Sequence, residues 1–274
     1  ISRLDIKNQT LVKGINLEGL RSLGNPNYFA KKYYEEGIDE IHYHDVVASL
    51  YGRNSLKKII SECAKNIFVA VCVGGGLRNL EDIDSVLKLG ADKISLNSAA
   101  VRKPDLIKSA VNVYGSSTIS INVETAKIND KYEVLIESGR EKTGVELFNW
   151  IEKIQEYGAG EIILTSIDKE GRKKGFDLDL YRNVKKKTSI PLIAHGGAGK
   201  AEDIYQLFDE TNVEGVLLSS ILHYSYLDKT KELENDGKNN YLKNSAQELK
   251  NSTSIFEIKK FLINKGINVR NEEK

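Results

Sequence analysis

Short β-branched runs alternate with amphipathic stretches along nearly the whole chain, and this alternation is repeated eight times. A strand that must be followed by a helix before the next strand returns builds a parallel sheet, because parallel neighbours need a long crossover. The predicted strands are Ile1–Asp5, Glu40–Asp45, Phe68–Val73, Lys93–Leu96, Thr118–Val123, Glu161–Thr165, Pro191–Ala194 and Gly215–Leu218. Helices are expected at Asn27–Glu36, Asn54–Lys65, Asn79–Leu89, Pro104–Tyr114, Glu146–Tyr157, Asp179–Lys187 and Lys200–Glu210, with Asn79 and Asp179 as N-caps and Pro104 in a first turn. Eight such units in one chain of 274 residues predict an α/β fold, a single eight-stranded parallel β/α (TIM) barrel.

The chain also repeats itself. EEGIDEIHYHD from Glu35 resembles EYGAGEIILTSID from Glu156, and GGLRNLEDI from Gly75 resembles GGAGKAEDI from Gly196, both at an offset of 121 residues. Half-barrel duplication predicts two related ligand sites, one per half. Between about 225 and 253 the texture turns to Lys, Asn, Glu and Asp, which reads as a solvated insertion before a closing helix at Ile255–Lys265.

Bulk properties exclude several classes. A net charge of +1 gives no broad basic field for nucleic acid, though a local phosphate site is compatible with it. Cys63 and Cys72 have no metal-ligand spacing and read as reduced thiols of a cytoplasmic protein. No apolar run reaches membrane-spanning length, and no signal peptide is visible. The chain opens inside a strand and has no methionine, so a start a few residues upstream is expected.

The chemistry concentrates where strands end. Gly75-Gly76 and Gly196-Gly197 each follow a strand and precede a helix, where glycine lets the backbone approach an anion at the positive end of the helix. Asn97-Ser98 and Ser219-Ser220 end the following strands and supply small donors to each cradle. Asp5 ends the first strand and Glu124 the fifth, on opposite sides of the C-terminal barrel face, as a general acid and base require. The bland alternative is a carboxylate pairing with a nearby lysine, such as Lys7 or Lys127. Asp45 and Asp168 read as supporting groups, His195 either as an anion donor or as turn filler, and His44 as packing. His223 is assigned no role.

RLDIKNQTLVKGINLEGLR, VGGGLRNLEDI, GADKISLNSAAV, GAGEIILTSIDKEG and AHGGAGK together resemble the cyclase subunit of imidazole glycerol phosphate synthase, from Asp5 to Arg270 apart from the polar insertion. The resemblance implies a barrel that takes ammonia from a glutamine amidotransferase at its N-terminal face and passes it through the interior to a bis-phosphorylated ribulosyl substrate in histidine biosynthesis, with no metal or organic cofactor. It implies Asp5 and Glu124 as catalytic groups and Lys13 as the lysine of the first loop. Glu40, Lys93 and Glu161 become an ammonia gate and Asp92 a partner contact. Gly75, Gly76, Asn97, Ser98, Asp168, Gly171, His195, Gly196, Gly197, Ser219 and Ser220 become substrate or phosphate contacts.

Three departures stand out. Glu124 occupies the place of the family's second catalytic aspartate and reaches about 1.5 Å further. Arg3 and His195 replace small residues, and HYHDVVASLYGRN is unusual although it keeps Asp45. These departures resemble paralogues associated with surface-polysaccharide (lipopolysaccharide) or flagellin sugars, which pass ammonia on for amidination. That is the alternative function; a related sugar-phosphate isomerase is a third, against which the gate residues argue.

Overall fold

The computed structural model describes residues 1–48, 56–227 and 253–270. Most of the predicted insertion, together with the beginning of the helix expected from Asn54, lies outside the described residues.

Eight parallel strands form the barrel: β1 (Ser2–Lys7), β4 (Glu40–Asp45), β5 (Ala70–Gly74), β6 (Lys93–Leu96), β7 (Ile119–Ile128), β10 (Glu161–Ser166), β11 (Leu192–His195) and β12 (Gly215–Leu217). Ring closure is made by parallel bridging of Ser2 with Leu218, where Arg3 N–H donates to Leu218 O at 2.8 Å and Leu218 N–H to Ile1 O at 2.9 Å. The barrel is therefore without a free sheet edge.

Around the strands run α1 (Pro26–Glu35), α2 (Lys57–Cys63), α3 (Leu80–Leu87), α4 (Ser98–Arg102), α5 (Asp105–Tyr114), α6 (Leu147–Glu156), α7 (Leu178–Lys185), α8 (Ala201–Thr211), α9 (Ser220–Leu227) and α10 (Ile255–Asn264). Their inner faces follow helical spacing: Leu147, Trp150, Ile151 and Ile154 of α6 are all buried against the sheet. Asn79 caps α3 by accepting from Asp82 N–H, as expected. For α7 the cap is Asp177 and not Asp179, which falls inside the first turn. Pro104 stands at the N-cap of α5, one position before its helical residues.

Strand alternation sorts the side chains into two sets. Leu4, Ile6, Ile41, Tyr43, Val71, Val73, Ile94, Leu96, Ile119, Ile121, Val123, Ile162 and Leu164 belong to the layer between sheet and helices. The opposite parity points into the barrel. There Ile163, Ile193 and Leu217 form a small apolar cluster on one side, while Arg3, His42, Ser95, Asn122 and Glu124 make the other side polar and buried.

Two antiparallel hairpins were not anticipated. One, β2 (Thr10–Ile15) with β3 (Glu18–Gly24), extends from β1; the other, β8 (Lys131–Ile136) with β9 (Glu141–Glu146), extends from β7, which runs five residues beyond the predicted Val123. Their tight turns place both residues of Asn8-Gln9, Asn16-Leu17 and Asn129-Asp130 at positive φ. Each is an Asn-led two-residue turn without the glycine that usually announces one.

Candidate active site

The two carboxylates arrive from β1 and β7, and both are buried, Asp5 at 3% exposure and Glu124 at 1%. Their surroundings differ sharply. Arg3 Nε donates to Asp5 Oδ1 at 2.7 Å, and Lys13 Nζ lies 4.0 Å from Oδ2. Burial alone would push Asp5 up, but the Arg3 guanidinium, then Lys13, outweighs it and holds the carboxyl well below its ordinary value. The expected alternative partners, Lys7 and Lys127, are not the ones used.

Glu124 Oε2 accepts the Gly139 N–H at 3.0 Å, and the Asn97 side chain is a second donor to the carboxyl. Burial dominates here and pushes its carboxyl up to about 7, with Arg3 and the Gly139 N–H pulling it partly back. One interior thus holds an ionised carboxylate and one carboxyl poised near neutrality, the split that acid–base pairs require.

The first anion cradle borders a cavity of about 260 Å³ lined by Gly75, Gly76, Asn97, Ser98, Arg102 and Lys103, and reaching inward to His44, Ser95 and Glu124. A Cβ on Gly75, at φ +89°, would lie 2.2 Å from Asp45 O, so only glycine fits. His44, buried as expected, also borders this cavity, and burial with the nearby Arg3 charge lowers its pKa to about 3. The β8–β9 turn overhangs the cavity. Glu137 N–H donates to Ser98 Oγ at 3.1 Å, Arg102 Nη1 to Glu137 Oε1 at 2.7 Å, and Ser138 lines the wall.

The second cradle is more closed. Gly196 and Gly197 turn at φ +99° and +118°, and a Cβ on Gly197 would meet Gly175 O at 2.2 Å. Ser219 and Ser220 are buried. The β2–β3 hairpin lies across the loop carrying Gly171: Lys13 pairs with Glu170, Leu17 N–H donates to Glu170 Oε2 at 3.0 Å, and Asn16 N–H to Glu170 O at 3.1 Å. His195 faces inward, bonded to Thr165 Oγ1 at 3.0 Å, and burial holds it neutral. Asp168 is exposed and accepts the Lys127 N–H at 2.9 Å, a loop-ordering contact. His223 packs on Tyr33, whose hydroxyl is 2.6 Å from Nδ1.

At the opposite barrel end, Lys93 Nζ bridges Glu40 Oε2 at 2.9 Å and Glu161 Oε2 at 3.1 Å, and Ser120 Oγ donates to Glu161 Oε1 at 2.7 Å. Burial pushes the Glu40 carboxyl up, while the two carboxylates overcome desolvation and raise Lys93. Asp92, just before β6, is exposed and accepts the Val71 N–H at 2.8 Å. Among the described residues no group of three or more His, Cys, Asp and Glu is placed to hold a metal ion, and no helix is long and apolar enough to cross a membrane.

Sequence reasoning missed Glu170, Arg102 and the Glu137–Gly139 turn. The available signal was ESGR, a glycine-containing hairpin turn between two alternating segments.

Fold and site define a (β/α)8-barrel enzyme with two inequivalent carboxyl groups at the C-terminal strand ends, beside a glycine-walled cavity. A family model described as histidine biosynthesis protein matches residues 1–228. Imidazole glycerol phosphate synthase subunit HisF of Legionella pneumophila is 48% identical over 204 residues, covering 74% of this chain and 96% of that protein. The HisF of Natranaerobius thermophilus is 40% identical over 232 residues (85% and 92%), and that of Dehalococcoides mccartyi 37% over 269 residues (98% and 96%). The chain belongs to this histidine-biosynthesis family of TIM barrels, among the HisF cyclase subunits, which makes it a lyase.

Proposed function

We propose that the chain uses ammonia, supplied by a glutaminase subunit docked at its N-terminal face, to cyclise and cleave a bis-phosphorylated ribulosyl substrate. Asp5 is the base and Glu124 the acid. As ammonia adds to the ketose carbonyl, the ionised Asp5 accepts an N–H proton while the protonated Glu124 gives one to the carbonyl oxygen, and the reverse transfers reset both groups as that oxygen leaves as water. Gly75, Gly76, Asn97 and Ser98 receive one phosphate, and Gly171, Gly196, Gly197, Ser219 and Ser220, with His195 and the Lys13 loop, receive the other. Asp168 orders the loop between them. Ammonia enters between Glu40, Lys93 and Glu161, with Asp92 on the partner-facing rim. The reaction is cytoplasmic, within a single barrel domain.

The observation that supports this reading is the contrast between two buried carboxyl groups, Asp5 ion-paired with Arg3 at 2.7 Å and Glu124 in no ion pair among the described residues, which holds the first low and pushes the second up to about 7. Purified protein with ammonium chloride should convert the ribulosyl substrate, and Asp5→Asn or Glu124→Gln should each lower kcat by about 10²–10⁴-fold. Absence of turnover by the unaltered protein would overturn the reading.

A second reading, in which ammonia is passed on for amidination of a surface-polysaccharide or flagellin sugar, is favoured by Glu124 itself and by the buried Arg3–Asp5 pair. Under it, Glu124→Asp would create cyclase activity where the unaltered chain has little.

A further inference from the structure

Glu124 takes its two donors from different elements: the Gly139 N–H of the β8–β9 turn, at 3.0 Å to Oε2, and the Asn97 side chain at the end of β6. Asn97 immediately precedes α4, whose last residue is Arg102. Arg102 returns to the turn, donating from Nη1 to Glu137 Oε1 at 2.7 Å. The contacts therefore close a ring, from the acid through Asn97 and α4 to Arg102, across to Glu137, and back through Gly139. Arg102 Nη2 also holds Glu141 at 2.8 Å, so one guanidinium grips both ends of the turn.

The turn needs such a grip. Glu137, Ser138 and Gly139 stand consecutively at φ +54°, +58° and +76°, and non-glycine residues in the left-handed region persist only where their surroundings enforce it. Gly139 is closely packed beneath: a Cβ there would lie 3.1 Å from Ile167 Cδ1 and 3.4 Å from Leu17 Cδ1. Glu137 is 7% exposed, and Arg102 is its one ion-pair partner among the described residues. A buried carboxylate stripped of its cation turns towards water, because desolvation of the lone charge is no longer offset. Glu137 would take the backbone of the turn with it, and Gly139 lies only two residues along.

We propose that Arg102 and Glu137 are positioning residues for the acid: their ion pair is a clasp that holds the β8–β9 turn where the Gly139 N–H reaches Glu124. The inference rests on the reading of Glu124 as the group that gives a proton to the carbonyl oxygen. A donated N–H favours the carboxylate over the carboxyl, so it keeps a proton that burial would otherwise fix transferable. Facing Glu124 from the other elements are Arg3 and Asp5 of β1, His44 and Asp45 of β4, and Arg78 and Lys103 along the cavity wall. The strands flanking it, β10 and β8, set the uncharged Thr165 and Leu135 opposite. The clasp acts on the acid through the backbone of the turn and touches no reacting atom.

Two experiments test the clasp. The first titrates Glu124 by 13C NMR in the full chain labelled at the glutamate carboxyl, its signal assigned by its absence from Glu124→Gln. Arg102→Ala and Glu137→Ala should each raise its midpoint by about one pH unit, the loss of one charge-assisted hydrogen bond. The two substitutions change the local charge in opposite senses, so a direct field effect would raise the midpoint in the first and lower it in the second. The double variant should move it as far as either single one, where field effects alone would nearly cancel. Shifts of opposite sign, or none in Glu137→Ala, overturn the proposal. The second experiment is the cyclase assay. The alkaline limb of kcat should move up by the same amount in both single variants, whereas a merely structural role would lower kcat alike at every pH. A limb that stays in place also overturns the clasp. Absence of turnover by the unaltered protein overturns the cyclase reading alone, and the titration still decides the clasp.

Discussion

Arg3 and Asp5 stand two residues apart on β1, project into the barrel from the same face, and are joined Nε to Oδ1 at 2.7 Å with both side chains buried. The pair does more than neutralise charge. It commits the Arg3 Nε–H to one carboxylate and leaves the other, Glu124, in no ion pair among the described residues.

Removing Asp5 therefore exposes the cost of burying Arg3. Asp5→Asn should destabilise the fold by about 3–5 kcal/mol, since the guanidinium loses its counter-charge where water cannot replace it. The double variant Arg3→Met with Asp5→Asn should regain more than half of that loss in denaturant unfolding. Additive effects would show that the two residues are not coupled.

Glu124 predicts a pH dependence of the opposite sign from a salt-bridged acid. Its carboxyl rises in the folded state to about 7, so below the ordinary carboxylate range both states bind the proton and the group costs nothing. As pH rises through that range to about 7 the unfolded chain releases its proton first, and stability falls by up to about 3 kcal/mol. Glu124→Gln should abolish this decline, and unfolding curves of the two proteins should diverge between about pH 5 and 8. Asp5, held low, acts conversely: its contribution is present above its unfolded pKa and is lost as pH falls towards the folded one.

The β2–β3 hairpin is tied down at one residue. Glu170 takes the Lys13 ammonium on one oxygen and the Leu17 N–H on the other. Glu170→Gln should leave Lys13 buried beside a neutral amide and loosen the hairpin locally. The amides of residues 10–24 should then exchange with deuterium at least tenfold faster, with the exchange of β10 and β11 unchanged.

Gly75 and Gly115 separate strain from collision. Both have positive φ, +89° and +83°, but a Cβ on Gly75 strikes Asp45 O at 2.2 Å whereas one on Gly115 meets nothing within 4 Å. Gly115→Ala should cost only about 1 kcal/mol. Gly75→Ala should displace the β5–α3 turn, cost about 2–4 kcal/mol and raise the substrate KM at least tenfold.

The eight βα units and the amphipathic helices were legible in the residues, because they follow from local periodicity and from short-range capping. So were the glycine turns and the positions of Asp5, Glu124, Glu40, Lys93 and Glu161 at strand ends, which a parallel barrel places at one rim or the other. The two hairpins were not. The turn of the first uses Asn16-Leu17 at positive φ without the usual glycine, and an excursion from a strand end looks like any other loop.

What only the closed barrel decided was the pairing across long sequence distances. Arg3 could have met any inward carboxylate, Lys13 could have remained solvated, and His44 could have packed. Sequence determines which side chains face inward. Strand register and ring closure, which bring residue 13 against residue 170 and residue 93 against residues 40 and 161, determine which of them share their charge. In an interior of low dielectric those partnerships set the protonation states, and the protonation states set the chemistry.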